Sequence, residues 1–210
     1  MLTQFAFYDF NLATDKRKDF FSAANFYPLW SGIIPDDIAR SESAAFSHFA
    51  SLNLVLNRFN GTYPATFVNT GLQWCACSPI VPFHHIIMMT NTIHRDAPNA
   101  WAPHQYIILQ ALRALPSNVS QGTLPTPNDG KSTFDLIPSG QLGIAENQLP
   151  QQPRINNVGG TFANTGPGAD INLLNATVFN GGNATGGEGW SHRLQRELAN
   201  RYITSAFCSW

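Results

Sequence analysis

Between Ser43 and Phe59 the apolar residues Phe46, Phe49, Leu52, Leu56 and Phe59 recur every three or four positions. This spacing predicts a helix over 43–59, one face apolar, stopped by Asn60-Gly61. A stripe of that length has to be covered by other elements, and two further segments carry stripes to match it. Ile108, Ala111, Leu112 and Leu115 follow Trp101-Ala-Pro-His-Gln-Tyr. Pro103 suits a first helical turn, where a missing N–H is harmless, and Pro116 ends the run. From about Ser191 to Trp210, Leu194, Leu198, Tyr202, Ala206 and Phe207 line a third face, with Glu197 and Arg201 spaced as an i,i+4 pair. Asp36 and Asp37 after Pro35 mark another helix start, their carboxylates complementing the exposed N–H groups.

The connections are long. Residues 117–187 are rich in Pro, Gly and Asn with little periodicity, and read as loops and turns with one short helix around Pro138–Gln148. DKRKD at 15–19 reads as a charged loop, and strand signals are confined to TYPATFV at 62–68 and to 75–95. The fold class is therefore mainly α, in one domain, with helices joined by long loops.

Charged residues make up 12% of the chain and the formal net charge is −1, which leaves no basic field for a nucleic-acid backbone. Aromatics also reach 12%, beside many neutral polar side chains. That mixture suits an uncharged, hydroxylated ligand such as a sugar, although a large helical core has the same composition. No run of eighteen apolar residues is present, so no membrane span is expected. The start, MLTQFAFYDFN, lacks the pattern of a signal peptide, yet Asn-x-Ser/Thr sequons at Asn60, Asn118, Asn175 and Asn183 lean towards the secretory route. Together they suggest that the amino end is incomplete. The closing Phe-Cys-Ser-Trp, without a cap, suggests the same of the carboxyl end.

Residues 75–95 stand apart. They carry Cys75, Cys77, His84, His85 and His94, all zinc-ligand types, but Cys-x-Cys and adjacent histidines fit no zinc module. A disulfide from Cys75 or Cys77 to Cys208 stays open. Removing the stretch joins GLQW to DAPNAWAPHQ, and the product resembles the signature Gln-Trp-Asp-x-Pro-x-x-Trp-x-Pro of the trehalases of glycoside hydrolase family 37. The matching positions are Gln73, Trp74, Asp96, Pro98, Trp101 and Pro103. YDFN, NFYPLWSGI, NGTYPATF and GEGWSHRLQRELANRYITSAF are similar in style to fungal, secreted members. The stretch is 21 residues, a whole number of codons and about 63 nucleotides. Thr90-Asn91 can be encoded with a branch-point-like CTAAC, and Arg95 can be encoded AGG across an acceptor AG. A retained intron is the leading reading of 75–95, and a genuine loop insertion the other.

The resemblance implies a partial (α/α)6 toroid with long loops, trehalose as the small-molecule partner, no cofactor and no metal. It also implies a parent protein that is secreted or held in the cell wall or vacuole. An inverting enzyme of this kind needs a carboxylic acid and a carboxylate base roughly 6.5–9.5 Å apart. The family's acid lies in a Gly-Trp-Asp-x-Ser-x-Arg-Trp segment ahead of YDFN and its base in a Gly-rich Gly-Glu-Tyr segment beyond the last helix. Neither motif is in this sequence, so no catalytic residue is assigned and the chain as written is expected to be inactive.

Four residues are candidates for substrate binding. Trp101 offers an indole face to a pyranose, or else packs under its loop. Asp96 either contacts substrate or fixes the turn before Pro98. Trp74 and Asn99 follow. Asp9 reads as a loop hydrogen-bonding residue, Glu188 as a carboxylate favouring the helix start at Ser191, and Trp30 and Trp190 as core. The alternatives are a non-catalytic sugar-binding relative and another helical-toroid carbohydrate enzyme.

Overall fold

The computed structural model describes residues 6–18, 21–58, 62–64, 67, 102–128, 131–149 and 188–208, the last element with side chains to 204. Among them lie a two-stranded hairpin and six α-helices. The strands are β1 (Phe10–Asn11) and β2 (Lys16–Arg17). The helices are α1 (Tyr27–Trp30), α2 (Asp36–Arg40), α3 (Glu42–Arg58), α4 (Ala102–Ala114), α5 (Ser117–Ser120) and α6 (Trp190–Cys208). The protein is mainly helical, as its periodicity predicts. The short helix expected around 138–148 is replaced by 3-10 turns at Thr133–Leu136 and Glu146–Gln148. Of TYPATFV only 62–64 and 67 are described, and none is in a strand.

The stretch DKRKD contributes to the hairpin rather than to a plain loop. Asn11 Oδ1 accepts from the backbone N–H of Ala13 at 2.9 Å and Thr14 at 3.3 Å, and Asp15 takes φ 52°. A short polar side chain closing the turn and an Asp in the left-handed region bring Lys16–Arg17 back against Phe10–Asn11.

Helix α3 is the centre. Asp36 and Asp37 open α2, and Ser41 opens α3: its carbonyl accepts from Ala45 N–H at 2.9 Å and its hydroxyl from Ala44 N–H at 3.3 Å. The predicted stripe is one side of a helix buried almost all round, His48, Ser51, Asn53 and Asn57 included. A helix in that position needs neighbours on every side. It packs on α2, α5, α6 and the 133–136 turn, while α4 packs on α1 and α6. Rings fill the gaps. Phe26 stacks on Phe49 at 5.2 Å, His48 stands edge-on to both at 5.3 Å, and Trp190 meets Phe46 at 5.4 Å. Trp190 is core, as expected. Trp30 is not: the four-residue α1 points Leu29 inward, fully buried, and leaves Trp30 46% exposed.

Helix α6 enters through Gly189. A Cβ there would lie 2.5 Å from the Ser120 carbonyl oxygen and 2.6 Å from Gln121 Cα, so only glycine admits this approach. Trp190 N–H then donates to Gly122 O at 2.8 Å and its indole N–H to Val119 O at 3.0 Å. Among the described residues no helix is long and apolar enough to cross a membrane.

Candidate functional site

Trp74, Asp96, Asn99 and Trp101, and the whole of 75–95, lie outside the described residues. So do Asn60, Asn175, Asn183 and the side chain of Cys208. The structure does describe the base from which residues 68–101 leave and to which they return. Tyr63, before the stretch, is fully buried, and Gln105 follows it on the first turns of α4. The Gln105 carboxamide bonds the Tyr63 backbone twice. Its oxygen accepts from Tyr63 N–H at 2.9 Å, and its Nε2 donates to Tyr63 O at 2.7 Å. The side chain thereby does what a neighbouring strand would do. The Tyr63 hydroxyl shares a 2.8 Å hydrogen bond with Ser51 Oγ of α3, and its ring meets Phe26 edge-on at 5.4 Å. Burial pushes the phenol pKa up, so it stays neutral. Sequence reasoning passed over Tyr63 and Gln105. A Tyr and a Gln 42 positions apart carry no local signal, although both stand inside segments that carry the family resemblance.

Beside this clamp, His104 stands 6.2 Å from the Tyr27 ring, and Tyr27 is edge-on to Trp30 at 6.3 Å. Burial lowers the His104 pKa, so its imidazole is neutral at pH 7.

The carboxylates considered from sequence have other work. Asp9 takes a 3.4 Å bond from Lys18 at the hairpin. The Glu188 side chain is only 5% exposed and is gripped by Arg196, whose Nε and Nη2 each donate at 3.0 Å. Arg193 stands 3.7 Å away and His192 3.3 Å. The Arg196 hydrogen bonds outweigh burial, and with the charges of Arg196, Arg193 and His192 they hold the Glu188 carboxyl below the usual range. It is an anchor at the head of α6, tied to side chains of the helix rather than to its first N–H groups. Glu197 is fully buried, 3.3 Å from Arg196 and 3.7 Å from Arg193. Burial and Glu188 push its pKa up against the pull of Arg196, Arg193 and Arg201. The expected pair of Glu197 with Arg201 is thus one part of a ladder whose nearer rungs are Arg196 and Arg193. An ionised carboxylate locked in a fork donates no proton, and a fully buried one reaches no sugar.

A further, part-buried ion pair ties the 131–149 segment to α3. Glu146 Oε1 pairs with Arg58 Nη2 and accepts from Ser132 Oγ at 2.6 Å. Burial opposes its charge, but the Ser132 and Arg58 hydrogen bonds and the Arg58 and Lys131 charges prevail and lower its pKa. A cavity of about 250 Å³ beside it is lined by Phe134, Ile137, Gln141, Leu142, Ile144 and Glu146, among others. Among the described residues no group of three or more His, Cys, Asp or Glu is placed to hold a metal ion.

Fold and side chains define a mainly helical protein in which Glu146, Glu188 and Glu197 are held in ion pairs and Gln105 is hydrogen-bonded to Tyr63. Comparison with known proteins narrows the class. Residues 3–95 match the family described as Trehalase. The matched span takes in Gln73 and Trp74 and stops before Asp96 and Trp101. The chain is 28% identical over 116 residues to the trehalase of the rabbit, Oryctolagus cuniculus, covering 55% of this chain and 16% of that protein. It is 29% identical over 110 residues to that of the honeybee, Apis mellifera, covering 51% and 14%. It is 30% identical over 105 residues to that of Pimpla hypochondriaca, covering 50% and 14%. The chain thus spans 14–16% of the length of these relatives. No solved structure matches it significantly. These findings support the trehalase family and a glycosidase by family.

Proposed function

We propose that this chain is a segment of an α,α-trehalase, the enzyme that hydrolyses trehalose to two glucose molecules by inversion. The match of residues 3–95 to the trehalase family carries this reading. In it, Trp101 stacks on a glucosyl ring, Asp96 accepts hydrogen bonds from sugar hydroxyls, and Trp74 and Asn99 complete one wall of the pocket. The clamped base supports the arrangement, because Gln105 and Tyr63 hold the two ends of the wall-bearing stretch on one spot of the core.

The proton-transfer groups lie in motifs outside this sequence. A positioned acid or base is worth about 10²–10⁴-fold each, so the segment as written hydrolyses no trehalose. The reading also takes residues 75–95 as a retained intron, the parent as a fungal-type glycoprotein, and its compartment as medium, wall or vacuole. Glucose release from trehalose by the purified 210-residue chain, measured against a blank, tests inactivity: release above the blank defeats it. Sequencing the spliced messenger tests the intron, since an active product that keeps the 63 nucleotides excludes it. Upstream and downstream reading frames carrying Gly-Trp-Asp-x-Ser-x-Arg-Trp and Gly-Glu-Tyr are expected. Genuine start and stop signals at both ends would favour a non-catalytic sugar-binding relative instead.

A further inference from the structure

We propose that Asn118 is an N-glycosylation site, modified on the nascent chain before α6 folds over it. Independently of the trehalase reading, the inference rests on how Asn118-Val119-Ser120 is placed. Asn118 is exposed on α5. Its side-chain Nδ2 donates to Ala39 O at the end of α2, at 3.1 Å. A carboxamide carries two N–H bonds and this contact uses one, so a sugar can replace the other and leave the contact in place. Val119 and Ser120, by contrast, are buried, 1% and 6% exposed. Helix α3 packs on α5 as well, but what closes on the backbone of this pair is the head of α6: the Trp190 indole donates to Val119 O, and a glycine at 189 lets the backbone approach Ser120 O.

On this proposal the sequon's hydroxyl residue is readable before α6 closes on it. Trp190 is 70 positions after Ser120. At roughly 5–20 residues per second, synthesis leaves the triplet uncovered for about 4–14 s. In the transfer, a lipid-pyrophosphate-linked oligosaccharide gives up C1 of its first sugar. The C1–O bond breaks, the C1–Nδ2 bond forms, the pyrophosphate leaves with the electron pair and the amide proton goes to a base of the transferase. An occupied Asn118 marks the α2–α5 edge as outward-facing in any longer polypeptide that contains this chain, because a glycan needs solvent.

The test is expression of the chain behind a secretory leader in a eukaryotic host, with cell extract and medium pooled so that folding does not limit the readout. Trypsin releases residues 114–131, which hold one sequon. Amidase release of glycan in ¹⁸O water is expected to label Asn118 in most copies. Asn118→Gln should abolish the label and Ser120→Thr should keep it. An unlabelled 114–131 fragment overturns the site. For the timing, a synthetic 114–131 peptide and the folded, unglycosylated chain are each offered to the transferase with its lipid donor. Modification of the peptide alone is expected, and equal modification of the folded chain overturns the order of events.

Discussion

Around α3 the chain is closed by rings, whereas at the head of α6 it is closed by ions. Phe26, His48, Phe49 and Trp190 meet at 5.2–6.0 Å and fit mainly by ring shape. Glu188, Arg193, Arg196 and Glu197 are just as hidden for the most part, but each buried charge is held by its neighbours. The two regions differ in what a substitution does. A lost ring leaves a void whose effect follows its volume, while a lost charge exposes its partner to an uncompensated burial.

Four measurements sharpen or break that contrast. The largest effect is expected for Phe49→Ala, which should lower stability by about 4 kcal/mol in urea unfolding, since the side chain is fully buried among three rings. A loss under about 1 kcal/mol would mean that rings do not close this region. Gln105→Ala comes next. It leaves the buried Tyr63 N–H and C=O without the side-chain partners described above, so a loss of about 2 kcal/mol and faster hydrogen exchange at the Tyr63 amide are expected.

The ionic region answers to pH. Glu188 has a depressed pKa, so its contribution is present above the ordinary glutamate value of about 4.5 and is lost as pH falls through the folded value. Glu197 has a raised pKa, and its contribution runs the other way, growing as pH falls through the folded value towards 4.5. Urea midpoints from pH 7 to 3 should therefore fall less with acid in Glu188→Gln than in the unaltered chain, and more in Glu197→Gln. Identical profiles in the two variants would erase the distinction. The smallest effect is expected from deleting 75–95. The loop closed by the Tyr63–Gln105 clamp shortens from 42 positions to 21, and halving a loop stabilises by about 0.6 kcal/mol.

The same contrast explains what was legible in the sequence. The stripe of Phe46, Phe49, Leu52 and Leu56 marks α3 to within a residue at its start, and Leu194 with Leu198 marks α6, because apolar spacing is a local record of burial. Arg193, Glu197 and Arg201 stand at the same spacing, and the sequence shows of them only that Glu197 and Arg201 can pair. Only long-range packing decides that they are inside. The hairpin was hidden because two-residue strands have no periodicity, and its determinants are the Asn11 side chain and the backbone of Asp15. Trp30 misled through its size, since a large ring in an apolar run suggests core, while α1 buries Leu29 and leaves Trp30 half-exposed. The candidate site at Trp74, Asp96, Asn99 and Trp101 was proposed from the motif, and those residues lie outside the described ones. Its base was not legible, because a carboxamide that mimics a strand edge is defined by a partner far along the chain.

That mimicry gives the junction a tolerance for edits. Two bonds from one amide fasten the seam, so the closure is written in Tyr63 and Gln105 themselves.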